Sequence, residues 1–150
     1  MKQLLLFAVL FSITAFNIVA AQETTFFTKD GVQLPVRNTG NNTLVELYHA
    51  DSIFTYNIAV AIFPPRKKLD WHYHPGGQKL IITEGVGYYQ ERGMPKRIVR
   101  KGEVIKCLPG VEHWHGASIE TGVTYLATSP AQKGPTVWLL KVTDEEYQKQ

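Results

Sequence analysis

The residues best able to do chemistry fall in two short clusters. Trp71-His72-Tyr73-His74-Pro75-Gly76-Gly77-Gln78 carries two imidazoles two positions apart, and His113-Trp114-His115-Gly116 repeats that spacing. Only one of the chain's 5 histidines, His49, lies outside them. On a helix, a spacing of two would send the rings to nearly opposite sides. On a strand it puts both on one face. His72 and His74 then share a face while Trp71 and Tyr73 pack the other way, and His113 and His115 do the same around Trp114. Imidazoles arriving from two distant segments make the legs of a metal site. Neutral imidazole suits Zn, Cu, Fe, Ni and, with oxygen donors, Mn. Pro75-Gly76-Gly77 turns the chain sharply, so Gln78 opens a neighbouring strand near the same point and its amide oxygen can complete the set.

Short strands must position these groups. Leu44–His49, Phe54–Phe63, Lys79–Thr83, Gly87–Glu91, Lys96–Val99, Glu103–Cys107, Val123–Thr128 and Val137–Val142 are β-rich runs. Between them lie Ala50-Asp51-Ser52, Pro75-Gly76-Gly77, Arg92-Gly93-Met94-Pro95 and Pro109-Gly110, residues suited to tight turns. Even spacing of this kind predicts an all-β sandwich or barrel. One short helix is expected at the C-terminus, where Thr143 and Glu146 form a capping box and Asp144 and Glu145 suit the positive end of the helix dipole. The polar Asn38–Thr43 stretch reads as a loop.

The clusters and their order resemble the cupin superfamily. Its first motif places His-x-His, then an acidic residue, then Gly; here His72-Tyr73-His74 is followed by Gln78 in the acidic position and by Gly85. Arg66 stands where the motif begins with Gly. The second motif is matched at Gly102, Gly110 and His113, with Leu108 in place of Pro and Ala117 in place of Asn. The likeness spans Phe54 to Ser129. It implies a small cupin β-barrel (a double-stranded β-helix, or jelly roll).

A narrower likeness is carried by His-Pro-Gly-Gly-Gln at 74–78, Thr-Glu-Gly at 83–85, Pro-Gly-Val-Glu-His-Trp-His-Gly at 109–116 and Val-Thr-Asp-Glu-Glu-Tyr at 142–147. It points to a bacterial subgroup that includes manganese-dependent hydroxynitrile lyases and cupins associated with carboxymuconolactone decarboxylases. By that resemblance His72, His74, Gln78 and His113 would bind a divalent metal, Mn first, with Fe or Zn behind. His115 would face the open coordination positions and move a proton. A neutral amide instead of a carboxylate makes the site more positive by one charge, favouring anionic ligands and weakening the hold on the ion. One position departs from the lyases: a His commonly follows the Thr on the late inner strand, and here Tyr125 follows Thr124. A phenol with a pKa near ~10 donates a hydrogen bond well and is a poor base at neutral pH.

The resemblance therefore implies a metal-dependent enzyme acting on a small organic substrate, with cyanohydrin cleavage as its sharpest version. Competing readings are an Fe-dependent dioxygenase and a non-catalytic binding or sensor module. Bland readings stand beside each residue: a structural metal site, His115 bonded to a backbone carbonyl, and Tyr88 and Tyr125 as packing groups with satisfied hydroxyls. His49 reads as structural or solvated, and Trp138 as a core or dimer contact.

The rest of the sequence sets the context. Lys2, the apolar run from Leu4 to about Phe16 and the small residues Val19-Ala20-Ala21 read as a signal peptide over residues 1–21. The run is shorter than the ~20 residues a membrane-spanning helix needs. Residues 22–150 are then a single periplasmic or secreted domain, with no membrane partner after cleavage. Cys107 is the 1 cysteine, without a disulfide partner in the chain, and reads as a half-buried hydrophobe. A net charge of +3 from 16 basic and 13 acidic residues lacks the dense basic stripe of a nucleic-acid binder. Arg66–Lys68 reads as a loop between strands and Lys96–Lys101 as a solvated sheet edge. The segment near Thr24–Lys29 is expected to pair with another subunit's sheet edge in a homodimer or larger assembly.

Overall fold

In a computed structural model, residues 36–39 and 42–149 are described. The expected leader over 1–21 and the pairing segment at Thr24–Lys29 lie outside them. Ten strands and one helix follow in chain order: β1 (Val36–Thr39), β2 (Asn42–Tyr48), β3 (Tyr56–Phe63), β4 (His72–Tyr73), β5 (Gln78–Glu91), β6 (Arg97–Arg100), β7 (Val104–Cys107), β8 (His113–Ala117), β9 (Val123–Pro130), β10 (Val137–Trp138) and α1 (Asp144–Gln148). The strands form a curled antiparallel sheet in the order β1-β2-β3-β9-β5-β8-β4-β10, with β6 and β7 also paired to β5. The all-β sandwich or barrel expected from the even strand spacing is found as a curled half-barrel.

β5 makes the curl. Its first half pairs with β7 and β9, its second half with β6 and β8. Sequence reading divides this stretch into two strands, Lys79–Thr83 and Gly87–Glu91; the structure joins them into one 14-residue strand. At the join the register against β9 slips between Ile82 and Glu84, and Gly85 adopts φ 75°. A side chain there would place its Cβ 2.0 Å from Gly122 O. The bulge and the glycine bend the strand from one face of the sandwich to the other without ending it.

Other boundaries shift for local reasons. Within the polar Asn38–Thr43 stretch, read as a loop, Asn38 pairs with Thr43 and Thr39 with Asn42, because backbone pairing does not need apolar side chains. The Phe54–Phe63 run starts pairing only at Tyr56, and Phe54 is exposed. The Val137–Val142 run keeps only Val137 and Trp138 as a strand, although Leu139 N–H still donates to Trp71 O at 2.8 Å and Trp71 N–H to Leu140 O at 3.1 Å. Lys96–Lys101 does contain a strand, β6, paired only to β5. Arg66, in the turn after β3, holds φ 68°. That is the left-handed conformation a glycine adopts without strain, which explains why the family motif begins with Gly there.

Two apolar clusters fix the layers. One fills the barrel interior with Phe63, Leu80, Ile82, Tyr89, Ile105, Val123 and Tyr125. The other, Trp71, Trp114, Val142 and Tyr147, lies outside the β4–β8 wall. α1 docks on it. The capping box of Thr143 and Glu146 is formed, Tyr147 Oη donates to Ala117 O at 2.8 Å, and Lys96 Nζ donates to Tyr147 O at 2.6 Å. Trp114 is fully buried there and its indole N–H donates to Gln90 Oε1 at 2.9 Å. β8 is thereby held from outside while its histidines face in.

Candidate metal centre

β4 carries His72, His74 follows directly past its end, and β8 carries His113 and His115. β4 and β8 are neighbours, and His72 stands opposite His113 in their register. Their ring centroids are 4.5 Å apart, those of His72 and His74 5.2 Å, and those of His74 and His113 5.6 Å. All three are buried, and each offers a ring nitrogen such that the three lie within 4.8 Å of one another. Gln78 joins them through the turn: Gly77, at φ 78°, donates its N–H to His74 O at 3.0 Å, and β5 begins at the next residue, beside His74.

The hydrogen bonds fix which nitrogen points inward. His72 Nδ1–H donates to Asp70 O at 2.8 Å, and His113 Nδ1–H donates to Val111 O at 2.8 Å. A carbonyl only accepts, so each Nδ1 carries the proton and each Nε2 keeps its lone pair. His74 Nδ1 bonds Thr136 Oγ1 at 3.1 Å. Among the described residues, Nε2 of His74 and of His113 and Oε1 of Gln78 are buried without any partner. Buried polar atoms left bare cost about 1–3 kcal/mol each. Bare buried atoms of this kind beside the three clustered rings fit a cation, and the donor set of imidazole and amide oxygen suits a divalent transition ion.

Burial and crowding keep the rings neutral. Burial, then the neighbouring His113 ring, pulls His72 down to about 3 and His74 down to about 4 from an ordinary 6.5. Burial likewise lowers His113, and lowers His115 well below its usual value, with the other three rings adding to it. Neutral imidazole is the form that binds metal.

His115 lies outside the triad but beside it, 5.1 Å from His72 and 5.7 Å from His113 by ring centroid. Its Nδ1 is 2.6 Å from Tyr125 Oη, and its Nε2 is buried with no partner. The expectation that His115 bonds a backbone carbonyl through its ring is thus replaced by a bond to Tyr125. Tyr125 also stacks on Phe63 at 5.5 Å, and burial raises its hydroxyl well above the usual range. It is a packing residue and a hydrogen-bond partner at once.

His72, His74, Gln78, His115 and Tyr125 line a cavity of about 830 Å³ whose wall also takes in residues of β2, β3 and β10. Trp138 also lines it, which corrects the reading of Trp138 as a core residue. The indole is 57% exposed and lies 4.8 Å from the His72 ring. Asn42, with a buried and unpartnered Oδ1, is a second wall residue that sequence reasoning missed. Thr136, which orients His74, is a third. Asn42 and Trp138 reach the site on β2 and β10, and Thr136 just before β10, by contacts that no local spacing encodes. His49 is solvated at the rim, 3.0 Å from Glu46. Tyr88 packs on the outer cluster. Cys107 is buried, and its thiol is pushed up to about 12 by that burial, so it is the small hydrophobe expected.

The chain is similar to known proteins. The family described as Cupin domain matches residues 59–128. The (R)-mandelonitrile lyase of Granulicella tundricola is 37% identical over 112 residues, 74% of this chain and 86% of that protein. A cupin-like protein of Thermotoga maritima superposes with a TM-score of 0.72 at 42% identity, covering 74% of this chain and 85% of the other. A polyketide cyclase of Streptomyces resistomycificus shares the fold at a TM-score of 0.60 and 15% identity, over 76% of this chain and 84% of its own.

Proposed function

This chain belongs to the cupin family, and on that premise we propose that it is an exported metal-dependent enzyme that cleaves small cyanohydrins into an aldehyde and hydrogen cyanide. The observation that carries this reading is the set of bare, buried acceptors of His74, Gln78 and His113 beside His72, with the unpartnered Nε2 of His115 next to them. The 37% identity to a mandelonitrile lyase supports the choice of reaction.

His72, His74 and His113 through Nε2 and Gln78 through Oε1 would hold the ion, Mn before Fe or Zn. When bound, it supplies Lewis-acid polarisation of a hydroxyl or carbonyl oxygen. His115 is neutral at pH 7 because of its burial, so its Nε2 can take the substrate's hydroxyl proton while Nδ1 remains bonded to Tyr125. The carbon–carbon bond electrons leave with cyanide, and His115 returns the proton to it from Nε2. The neutral Gln78 leaves the site one charge more positive than a carboxylate would, which favours the departing anion.

The test is direct. The chain from Gln22 onward is purified, its metal determined by elemental analysis, and mandelonitrile cleavage followed for wild type and His115→Ala. Turnover that needs both the ion and His115 supports the reading. A metal-loaded chain that binds but does not cleave would make it a binding module, and oxygen uptake with Fe would make it a dioxygenase. Export and homo-oligomer formation are part of the same proposal, checked by periplasmic fractionation and by sedimentation at micromolar concentration.

A further inference from the structure

We propose that Trp138 is the specificity-determining wall of the cavity and that it selects ligands carrying a planar aromatic group. This deepens the function proposed above and rests on it only for which cavity is used. Among the described residues, Trp138 is absent from both apolar clusters and stays 57% exposed. A large indole left in water where it stabilises no core needs another account. β10 is the last strand of its sheet, and its register sets Trp138 opposite His72. The ring centroids are 4.8 Å apart with the planes tilted by 40°, so the indole adjoins the imidazole cluster without closing over it.

Ala59, Ala61 and Ala127, on β3 and β9, line the same cavity with short side chains. They take up little of its volume of about 830 Å³, which leaves space for an aryl ring against the indole face. Stacked there, it leaves its substituent pointing along the indole toward the histidines. Aromatic pairs gain from ring stacking beyond the area they bury, which corresponds to about three- to tenfold in affinity. A saturated ring of the same size gains only the burial.

The experiment compares benzyl alcohol with cyclohexylmethanol, which match in size and polar group and differ in planarity. Their dissociation constants are measured by NMR titration on the metal-loaded chain, for wild type, Trp138→Phe and Trp138→Leu. A half-exposed position tolerates both substitutions, and a thermal melt on each confirms folding. The expected result is an aromatic preference of about three- to tenfold in wild type, kept by Trp138→Phe and lost in Trp138→Leu. Equal affinities in wild type, binding of neither alcohol, or a preference that survives Trp138→Leu would overturn the proposal. The readout is binding, so a chain that never cleaves a cyanohydrin sinks the proposed reaction while this preference stays measurable.

Discussion

Tyr125 Oη lies 2.6 Å from His115 Nδ1, with both side chains buried. The phenol occupies the position from which a ring nitrogen is steered: as long as Nδ1 is engaged, Nε2 is the atom that faces the cavity and exchanges protons. Tyr125→Phe keeps the stack on Phe63 but strips this partner. It should lower kcat about 10- to 100-fold with little change in KM, and reduce stability by about 1–3 kcal/mol through the unpaired Nδ1. Steady-state kinetics and urea unfolding read the two effects separately. An unchanged kcat would reduce Tyr125 to a packing residue.

The metal-free protein should be acid-labile through its histidines. His72 and His74 titrate near 6.5 when unfolded and are held at about 3 and about 4 when folded, chiefly by burial. Between those values the unfolded chain binds more protons, so stability falls as pH drops. The full stability is present above about 6.5, is lost progressively down to about 3 for His72 and about 4 for His74, and each contributes up to about 1.4 kcal/mol per pH unit in its window. Urea midpoints on chelated protein at pH 7.5, 6 and 5 check this. A midpoint independent of pH over that range would mean the rings are not buried as neutral groups.

The site was more legible in the sequence than the cavity around it. His-x-His on a strand fixes a shared face by alternation alone, and the Pro-Gly-Gly turn fixes where Gln78 starts, so these readings needed no long-range information. That His72 stands opposite His113, and Trp138 opposite His72, depends on strand order, which sequence spacing does not carry. The merging of two apparent strands into β5 failed for a related reason. Thr83-Glu84-Gly85 looks like a break, yet a bulge plus one glycine keeps backbone pairing intact through it. Polar residues misled at β1 and β2 because hairpin pairing satisfies the backbone whatever the side chains are.

Gly116 should tolerate no side chain. It follows His115 on β8, and a Cβ there would lie 2.4 Å from Lys67 O and 2.5 Å from Lys68 Cα. Both are backbone atoms in a segment tied to β8, since Lys68 bridges to Gly116 and Ala117 N–H donates to Lys67 O at 2.8 Å. Gly116→Ala must push the strand bearing His113 and His115 away from its neighbour. We expect a loss of about 1–3 kcal/mol together with weaker metal retention, read by a thermal melt and by metal content after dialysis. Normal retention in a destabilised variant would show that the strand moves without disturbing the rings.

Gln78→Glu separates the two consequences of a neutral ligand. A carboxylate at this position adds a negative charge next to the ion, and the attraction at such short range exceeds what an amide dipole supplies. The variant should therefore retain its ion about tenfold longer or more against a competing chelator. The same charge opposes cyanide as it departs and makes a bound hydroxyl less acidic, so turnover of mandelonitrile should fall even as metal occupancy rises. Measuring both on one preparation removes occupancy as an explanation for slower turnover. A variant that holds metal more firmly and also turns over faster would mean that the extra positive charge left by Gln78 has no part in the reaction.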